Sequence, residues 1–284
     1  MLSAPLKAKL ADPAYLDLHL VAAGVVRGLG NLPWYDSYFL RDWTAAKEYL
    51  AQVRPDALPG FENAFAVLQP PAGFAPLKLE NLLGRERLGE LAEIVRSLPP
   101  DLLECHEQER FGRTVVHDHP EFSRLQEELR PRMGELLGEE LESGYNFLSL
   151  YGPHGRCPMH MDEPVSMYTL DVCIDRDGDW PIHFSEIVDW PGRDAAQDGW
   201  PDNVRGELAF TPFVIRENEA VLFCGSSQWH YRDPMPGGGA CSLLFLHYYP
   251  ARARGLVDPQ DWPETLALPE LQPLCDLLAE LPRG

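Results

Sequence analysis

Positive charge is what this 284-residue chain has least of: 24 Lys and Arg stand against 44 Asp and Glu, a formal charge of −20. No lysine follows Lys78 and no basic run occurs anywhere. Such a surface repels phosphate backbones and anionic lipid, which sets aside nucleic acid and membranes as partners. Long apolar runs are also missing: the longest are strand-sized, far short of the roughly 20 residues that cross a bilayer. The N-terminal stretch MLSAPLKAKLADPAYLDLHL carries charges where a signal peptide needs an apolar block, so a cytoplasmic address is expected. The six cysteines, at 105, 157, 173, 224, 241 and 275, form no CxxC pair and no dense framework, which excludes zinc ribbons and disulfide scaffolds. Cys173, Cys224 and Cys241 lie in apolar runs, as small core residues do. Internal repeats, a nucleophile elbow around Ser226 and Ser227, and a phosphate cradle at PGGGA are absent too.

What is there divides into two textures. Up to about residue 143 the chain reads as helices and loops: apolar spacing at Leu16, Leu18, Val21 and Val25, a strong period in RERLGELAEIVRSLPP, and a third helix over HPEFSRLQEELRPRMGELLGEEL, interrupted or kinked near Pro131. From Gly144 short runs rich in β-branched and aromatic residues follow one another: YNFLSLY, SMYTLDVCI, WPIHFSEIV, GELAFTPFVI, EAVLFCG and CSLLFLHYY. With no helical pattern between them, six such runs in about a hundred residues point to a two-sheet sandwich or jelly roll and not to a parallel sheet. The expected organisation is a helical region over 1–143 packing on the core, a β core over 144–250, and a C-terminal helix over 251–284.

Residues 151–164, YGPHGRCPMHMDEP, concentrate chemistry-bearing side chains. His160 and Asp162 are two apart, so on an extended backbone both leave one face and can share an ion. His230, a few residues past the run EAVLFCG, is the best third ligand, on a loop or at the start of the next strand. Two imidazoles and one carboxylate on one face of an octahedron leave three positions open, the arrangement of non-haem Fe(II) oxygenases. Taken alone, a His-x-Asp triplet is also what a solvated turn contains. A second pair, His117 and His119 around Asp118, precedes a predicted helix, where Asp118 or His119 more naturally caps the N-terminus. His183 and His247 sit inside strands. Trp180, Trp190, Trp200 and Trp229 cluster around the predicted β core.

The residues around both halves of the motif resemble the Fe(II)/2-oxoglutarate dioxygenase superfamily, in particular its prolyl-hydroxylase-like branches, over roughly residues 145–249. Tyr151, Gly152 and Gly155 stand at matching distances before His160 and Asp162; Phe223, His230, Pro234 and Gly238 match the distal half. The resemblance implies a double-stranded β-helix of the jelly-roll type, flanked by helices, in which His160, Asp162 and His230 hold Fe(II). It further implies 2-oxoglutarate and O2 as co-substrates and hydroxylation, or another oxidation, of an unactivated C–H bond. An acidic surface favours a neutral or cationic small molecule, amino acid or peptide as substrate.

One position departs from the pattern. The basic residue that in the family anchors the far carboxylate of 2-oxoglutarate is here Ala240, with Ser242 still two residues on. Arg232 lies two residues past His230, on the same strand face, and its planar fork suits a carboxylate. Arg156 is a second candidate, and Cys157 beside it stands where prolyl hydroxylases often carry a 2-oxoglutarate-contacting tyrosine. Tyr151 and Ser242 complete the co-substrate residues that the resemblance implies. With no arginine in this role, the expectation becomes an iron oxidase of the same fold that does not use 2-oxoglutarate; a non-catalytic, cupin-like metal-binding protein is a separate alternative.

Overall fold

The computed structural model describes residues 2–29, 38–190 and 202–281. In chain order the elements are α1 (Ala4–Lys9), α2 (Pro13–Leu29), α3 (Tyr38–Val53), α4 (Leu58–Ala64), β1 (Leu77–Leu79), α5 (Gly84–Arg96), α6 (Gln108–Phe111), β2 (Arg113–His117), α7 (Pro120–Leu137), β3 (Leu141–Tyr151), β4 (Cys157–His160), β5 (Tyr168–Arg176), β6 (Ile182–Ile187), α8 (Asp202–Glu207), β7 (Phe210–Phe213), β8 (Ala220–Phe223), β9 (Gln228–Arg232), β10 (Cys241–Pro250), α9 (Trp262–Thr265) and α10 (Gln272–Ala279). They fall into two compact units: Met1–Gln69 with Trp190–Asn203 and Arg252–Gly284, and Pro70–Asp189 with Val204–Ala251.

The first unit is helical. Phe39 and Trp43 of α3, Phe61 of α4, Phe65, Trp190 and Trp262 meet mostly edge to face, with ring centroids 4.8–6.3 Å apart. Rings prefer this geometry because the positive edge of one meets the negative face of the next. Trp190, expected beside the β core, belongs to this cluster instead. The end of the chain is tied back by Lys9–Asp276 at 2.7 Å and Arg54–Glu270 at 2.6 Å. The predicted C-terminal helix is broken into α9 and α10, with a 3-10 turn over Pro269–Leu271 where the proline supplies no N–H to continue the first helix. No described helix is long and apolar enough to cross a membrane.

The second unit holds two antiparallel sheets, ordered β1-β8-β5-β10-β3-β2 and β4-β9-β6-β7. Counting β3 to β10 as eight strands, the larger sheet reads first, eighth, third, sixth and the smaller reads second, seventh, fourth, fifth. That alternation is the jelly roll expected from the sequence, with β1 and β2 added at the edges of the larger sheet. Among the described residues the sheets face one another without closing into a barrel.

Between the sheets lies an apolar cluster of Tyr151, Cys173, Val221, Phe223, Cys241, Leu243 and Phe245 from the larger sheet, Ile182 and Phe184 from the smaller, and Trp180 and Ile215. Strand periodicity of two therefore identifies the inward face of every strand they occupy. The other face of the larger sheet is covered by α7 on β3 and β10. Phe122, Leu125, Leu129 and Met133 of α7 recur at helical spacing and are buried, each contributing about 1.5–3 kcal/mol relative to exposure. His119 caps this helix, accepting from the Glu121 N–H, and Gly138 ends it with the left-handed conformation (φ 73°) that favours glycine. The expected interruption at Pro131 does not occur. Pro131 sits within a continuous helix whose buried stripe holds both of its halves against the sheet.

Candidate metal centre

His160 ends β4 and His230 lies in the middle of β9; the two are directly paired across the ladder. Asp162 follows β4 by two residues, its N–H donating to the Gly225 carbonyl at 2.8 Å. Asp162 Oδ1 lies 3.4 Å from His160 Nε2 and 3.5 Å from His230 Nε2. Three ligands at about 2.1 Å on one octahedral face stand about 3 Å apart, so little closure is needed to receive an ion. One ligand atom from each of the three residues falls within 4.8 Å of the others. It is the one such group among the described residues.

The hydrogen bonds around the triad suit a metal. His160 Nδ1 faces the Pro158 carbonyl at 2.9 Å and His230 Nδ1 faces the Gln228 carbonyl at 3.0 Å. A carbonyl only accepts, so each Nδ1 carries a proton and Nε2 is the nitrogen each ring turns to the site; against desolvation, Cys157 and Asp162 hold the His160 pKa well above the usual imidazole value, and an ion would take the place of the Nε2 proton. Burial opposes the charge of Asp162, but the two imidazoles outweigh it and hold the carboxyl well below the usual range. It is an anion at neutral pH, as a ligand must be. The Thr169 hydroxyl donates to Asp162 Oδ2 at 3.1 Å. His247 Nδ1 lies 3.0 Å from that same hydroxyl and in turn donates to it. His247 is buried, and desolvation, opposed chiefly by the Asp162 charge, lowers its pKa to about 4. The ring of His230 packs edge-on against Phe223, centroids 4.9 Å apart.

Gly225 escaped the reading of the sequence. A Cβ there would stand 2.1 Å from Asp162 Oδ2 and 2.8 Å from the Ser166 carbonyl, so only hydrogen fits against the ligand carboxylate. The signal was its place two residues after a buried strand and five residues before His230.

The expected co-substrate residues have diverse surroundings. Arg232, two residues past His230, points between the sheets and is buried. Its Nη2 donates to Asp171 Oδ2 at 2.6 Å and its Nη1 to the Trp180 carbonyl at 2.5 Å, with the Trp180 ring 5.0 Å from the guanidinium. Burial pushes the Asp171 carboxyl up against the pull of Arg232, and Asp171 Oδ1 has no partner. Arg156 is exposed and donates to the Arg110 and Glu109 carbonyls of α6. Tyr151 is inward, its hydroxyl accepting from Arg113 Nη1 at 2.9 Å and its ring edge-on to Trp180. Ser242 alternates with Cys241 and Leu243 and so belongs to the opposite face of β10. Ala240 lines a cavity of 250 Å³ with Trp180, Met235 and Cys241. Arg113, not singled out from the sequence, is a second inward arginine, ion-paired with Glu107.

The remaining sequence candidates are occupied elsewhere. His117 pairs with Glu104 at 3.0 Å and Asp118 accepts from the Asn146 N–H. His183 stacks on Tyr231. Trp229 is buried on β9, one residue out of phase with His230 and Arg232, and Trp200 lies outside the described residues.

No family model and no curated protein matches the chain. Among solved structures it is similar to HygX from Streptomyces hygroscopicus with nickel and 2-oxoglutarate bound, at 12% identity and TM-score 0.47, covering 67% of this chain and 86% of that one. It is also similar to a Pseudomonas putida prolyl-4-hydroxylase, at 14% identity and TM-score 0.44, covering 66% and 98%. A third is the non-haem, α-ketoglutarate-dependent carbocyclase SnoK from nogalamycin biosynthesis, at 11% and 0.47, covering 62% and 79%. At this distance the roles of individual residues follow from the geometry of this chain alone.

Proposed function

We propose that the protein is a non-haem Fe(II) oxygenase that uses 2-oxoglutarate and O2 to oxidise an unactivated C–H bond of a small molecule, amino acid or peptide. The observation that carries this reading is the convergence of two Nε2 atoms and one anionic carboxylate oxygen on an inner corner of a jelly roll.

His160, Asp162 and His230 would hold the iron, which when bound supplies oxygen activation. The chain does the rest. The Pro158 and Gln228 carbonyls orient the two rings, and Thr169 fixes the carboxylate so that Oδ1 faces the imidazoles. Side-chain exposures of 13%, 14% and 5% for His160, Asp162 and His230 leave the centre a narrow opening on the His160 side, for substrate, while Phe184 and Phe223 exclude water behind His230. Arg232 is the anchor we assign to the far carboxylate of 2-oxoglutarate, because it shares the face of His230 and is about 7 Å further along the strand. Tyr151, next to Trp180, borders the same space.

A second reading, an iron oxidase that does not use 2-oxoglutarate, is favoured by one observation: the Arg232 fork already holds Asp171. Oxygen uptake by anaerobically Fe(II)-loaded protein, with and without 2-oxoglutarate, separates the two. Slow succinate release that vanishes in His160→Ala is the expected result. Oxygen uptake without succinate would give the site to the oxidase, and no iron binding would refute both.

A further inference from the structure

Asp171 is a buried carboxylate that the metal centre does not use. It stands on the inward face of β5, level with Phe245 of β10 and Val221 of β8, and its side chain is fully buried. Across the space between the sheets it meets Arg232, itself 1% exposed in its side chain. The partners are 61 positions apart in the chain and belong to opposite sheets.

The charge count follows from these contacts. A lone buried arginine would discriminate strongly for a dianionic 2-oxo acid, since the second carboxylate would complete a charge-assisted pair. Here the guanidinium is already neutralised by Asp171, and the Trp180 carbonyl occupies its other terminal nitrogen. Ala240 adds no charge, and the second inward arginine, Arg113, is likewise paired, with Glu107. A far carboxylate arriving at Arg232 must share it with Asp171, two anions against one cation in a region that excludes water. A 2-oxo acid with an uncharged tail meets no such conflict.

We propose that Asp171 sets the charge selectivity of the co-substrate pocket: by occupying Arg232 it removes most of the advantage that a second carboxylate gives a 2-oxo acid. This rests on the reading of the triad as an iron centre that a 2-oxo acid chelates. Asp171 is thus a specificity-determining residue that acts through Arg232.

Calorimetric titration of the protein loaded anaerobically with Mn(II) tests it, using two probes of equal chain length: 2-oxoglutarate and 2-oxovalerate, which lacks the far carboxylate. In the wild type the two affinities should differ by less than about tenfold, below what one unshared charge-assisted pair gives. Asp171→Asn keeps an oxygen for Arg232 but drops the charge; it should tighten 2-oxoglutarate about tenfold or more and leave 2-oxovalerate within about threefold. The double variant Arg232→Met with Asp171→Leu replaces the buried pair by apolar side chains, which preserves folding. It should bind both acids alike. A wild type preferring 2-oxoglutarate by roughly 100-fold, or an unchanged ratio in Asp171→Asn, overturns the proposal, as does loss of 2-oxoglutarate binding in Arg113→Met but not in the double variant. Mn(II) binding without either acid overturns the co-substrate reading and this inference together, whereas absence of Mn(II) binding overturns the metal centre itself. The ratio is the decisive readout because a merely structural role for Asp171 would weaken both acids equally.

Discussion

Replacing Gly225 by alanine adds one methyl group and should empty the metal centre. The new carbon would stand 2.1 Å from Asp162 Oδ2, 2.9 Å from Asp162 Cγ and 2.8 Å from the Ser166 carbonyl. An ordinary carbon–oxygen contact is about 3.3 Å, so the carboxylate must retreat by about 1 Å. Metal–ligand distances tolerate about 0.2 Å. Asp162 cannot escape by simple rotation, since Oδ2 is bonded to Thr169 and its own N–H is bonded to the Gly225 carbonyl. Overpacking of this kind costs about 1–3 kcal/mol of fold stability, and displacing a ligand by far more than the coordination tolerance lowers metal affinity by at least about 10–100-fold. The assay is an anaerobic Fe(II) titration of both proteins, paired with their thermal midpoints with and without metal. Gly225→Ala should fold, melt somewhat lower, and gain little from metal where the wild type gains much. Wild-type metal affinity in a folded Gly225→Ala protein would refute the reasoning, because it would mean that Asp162 is not held where the structure has it.

Other expectations follow from the surroundings of the triad. Thr169→Val keeps the shape but removes the hydroxyl that donates to Asp162, and should lower Fe(II) affinity by about 10–100-fold in the same titration; an unchanged affinity would deny the hydroxyl any orienting role. His247 has a pKa near 4 in the folded chain against about 6.5 when unfolded, so the unfolded state takes up the extra proton first. Its contribution is complete above about pH 6.5 and is lost as pH falls toward 4, about 3 kcal/mol in all. Denaturant midpoints of wild type and His247→Gln between pH 7 and 4.5 should therefore converge or cross on acidification, and parallel curves would refute the assignment. Arg156→Ala should leave 2-oxoglutarate binding unchanged, since that guanidinium serves the Arg110 and Glu109 carbonyls at the surface; a large loss would return Arg156 to the pocket.

The sequence was most informative where local pattern decides structure. The β-branched and aromatic richness of YNFLSLY and CSLLFLHYY foretold β3 and β10, and the two-residue spacing of His160 and Asp162 foretold a shared face. The strands that carry the ligands were harder to see. CPMH of β4 and QWHYR of β9 are short and polar, with no alternation that a reader would take for a half-buried strand, because their inward positions hold function and not packing. β2 was hidden similarly: its inward Arg113 and exposed His117 made RTVVH look like a polar approach to a helix. Arg232 was correctly suspected of facing inward, yet Asp171 was invisible as its partner. Nothing local links two residues 61 positions apart, and the adjacent Asp233 pairs with Arg205 instead. Gly225 shows the same limit, since its need for a missing side chain exists only once Asp162 has arrived from another strand.

The pairing of His160 with His230 also bears on how the chain reaches this state. The two residues are 70 positions apart in sequence, and between β4 and β9 the chain places β5 and β8 in the larger sheet and β6 and β7 in the smaller. Contacts of such long sequence separation are entropically expensive to close and slow to form. An ion held by both histidines would therefore act as a clasp between two strands far apart in the sequence. It would leave the early collapse untouched and slow unfolding, so that metal supply during synthesis would govern how long a newly made chain keeps its edges exposed.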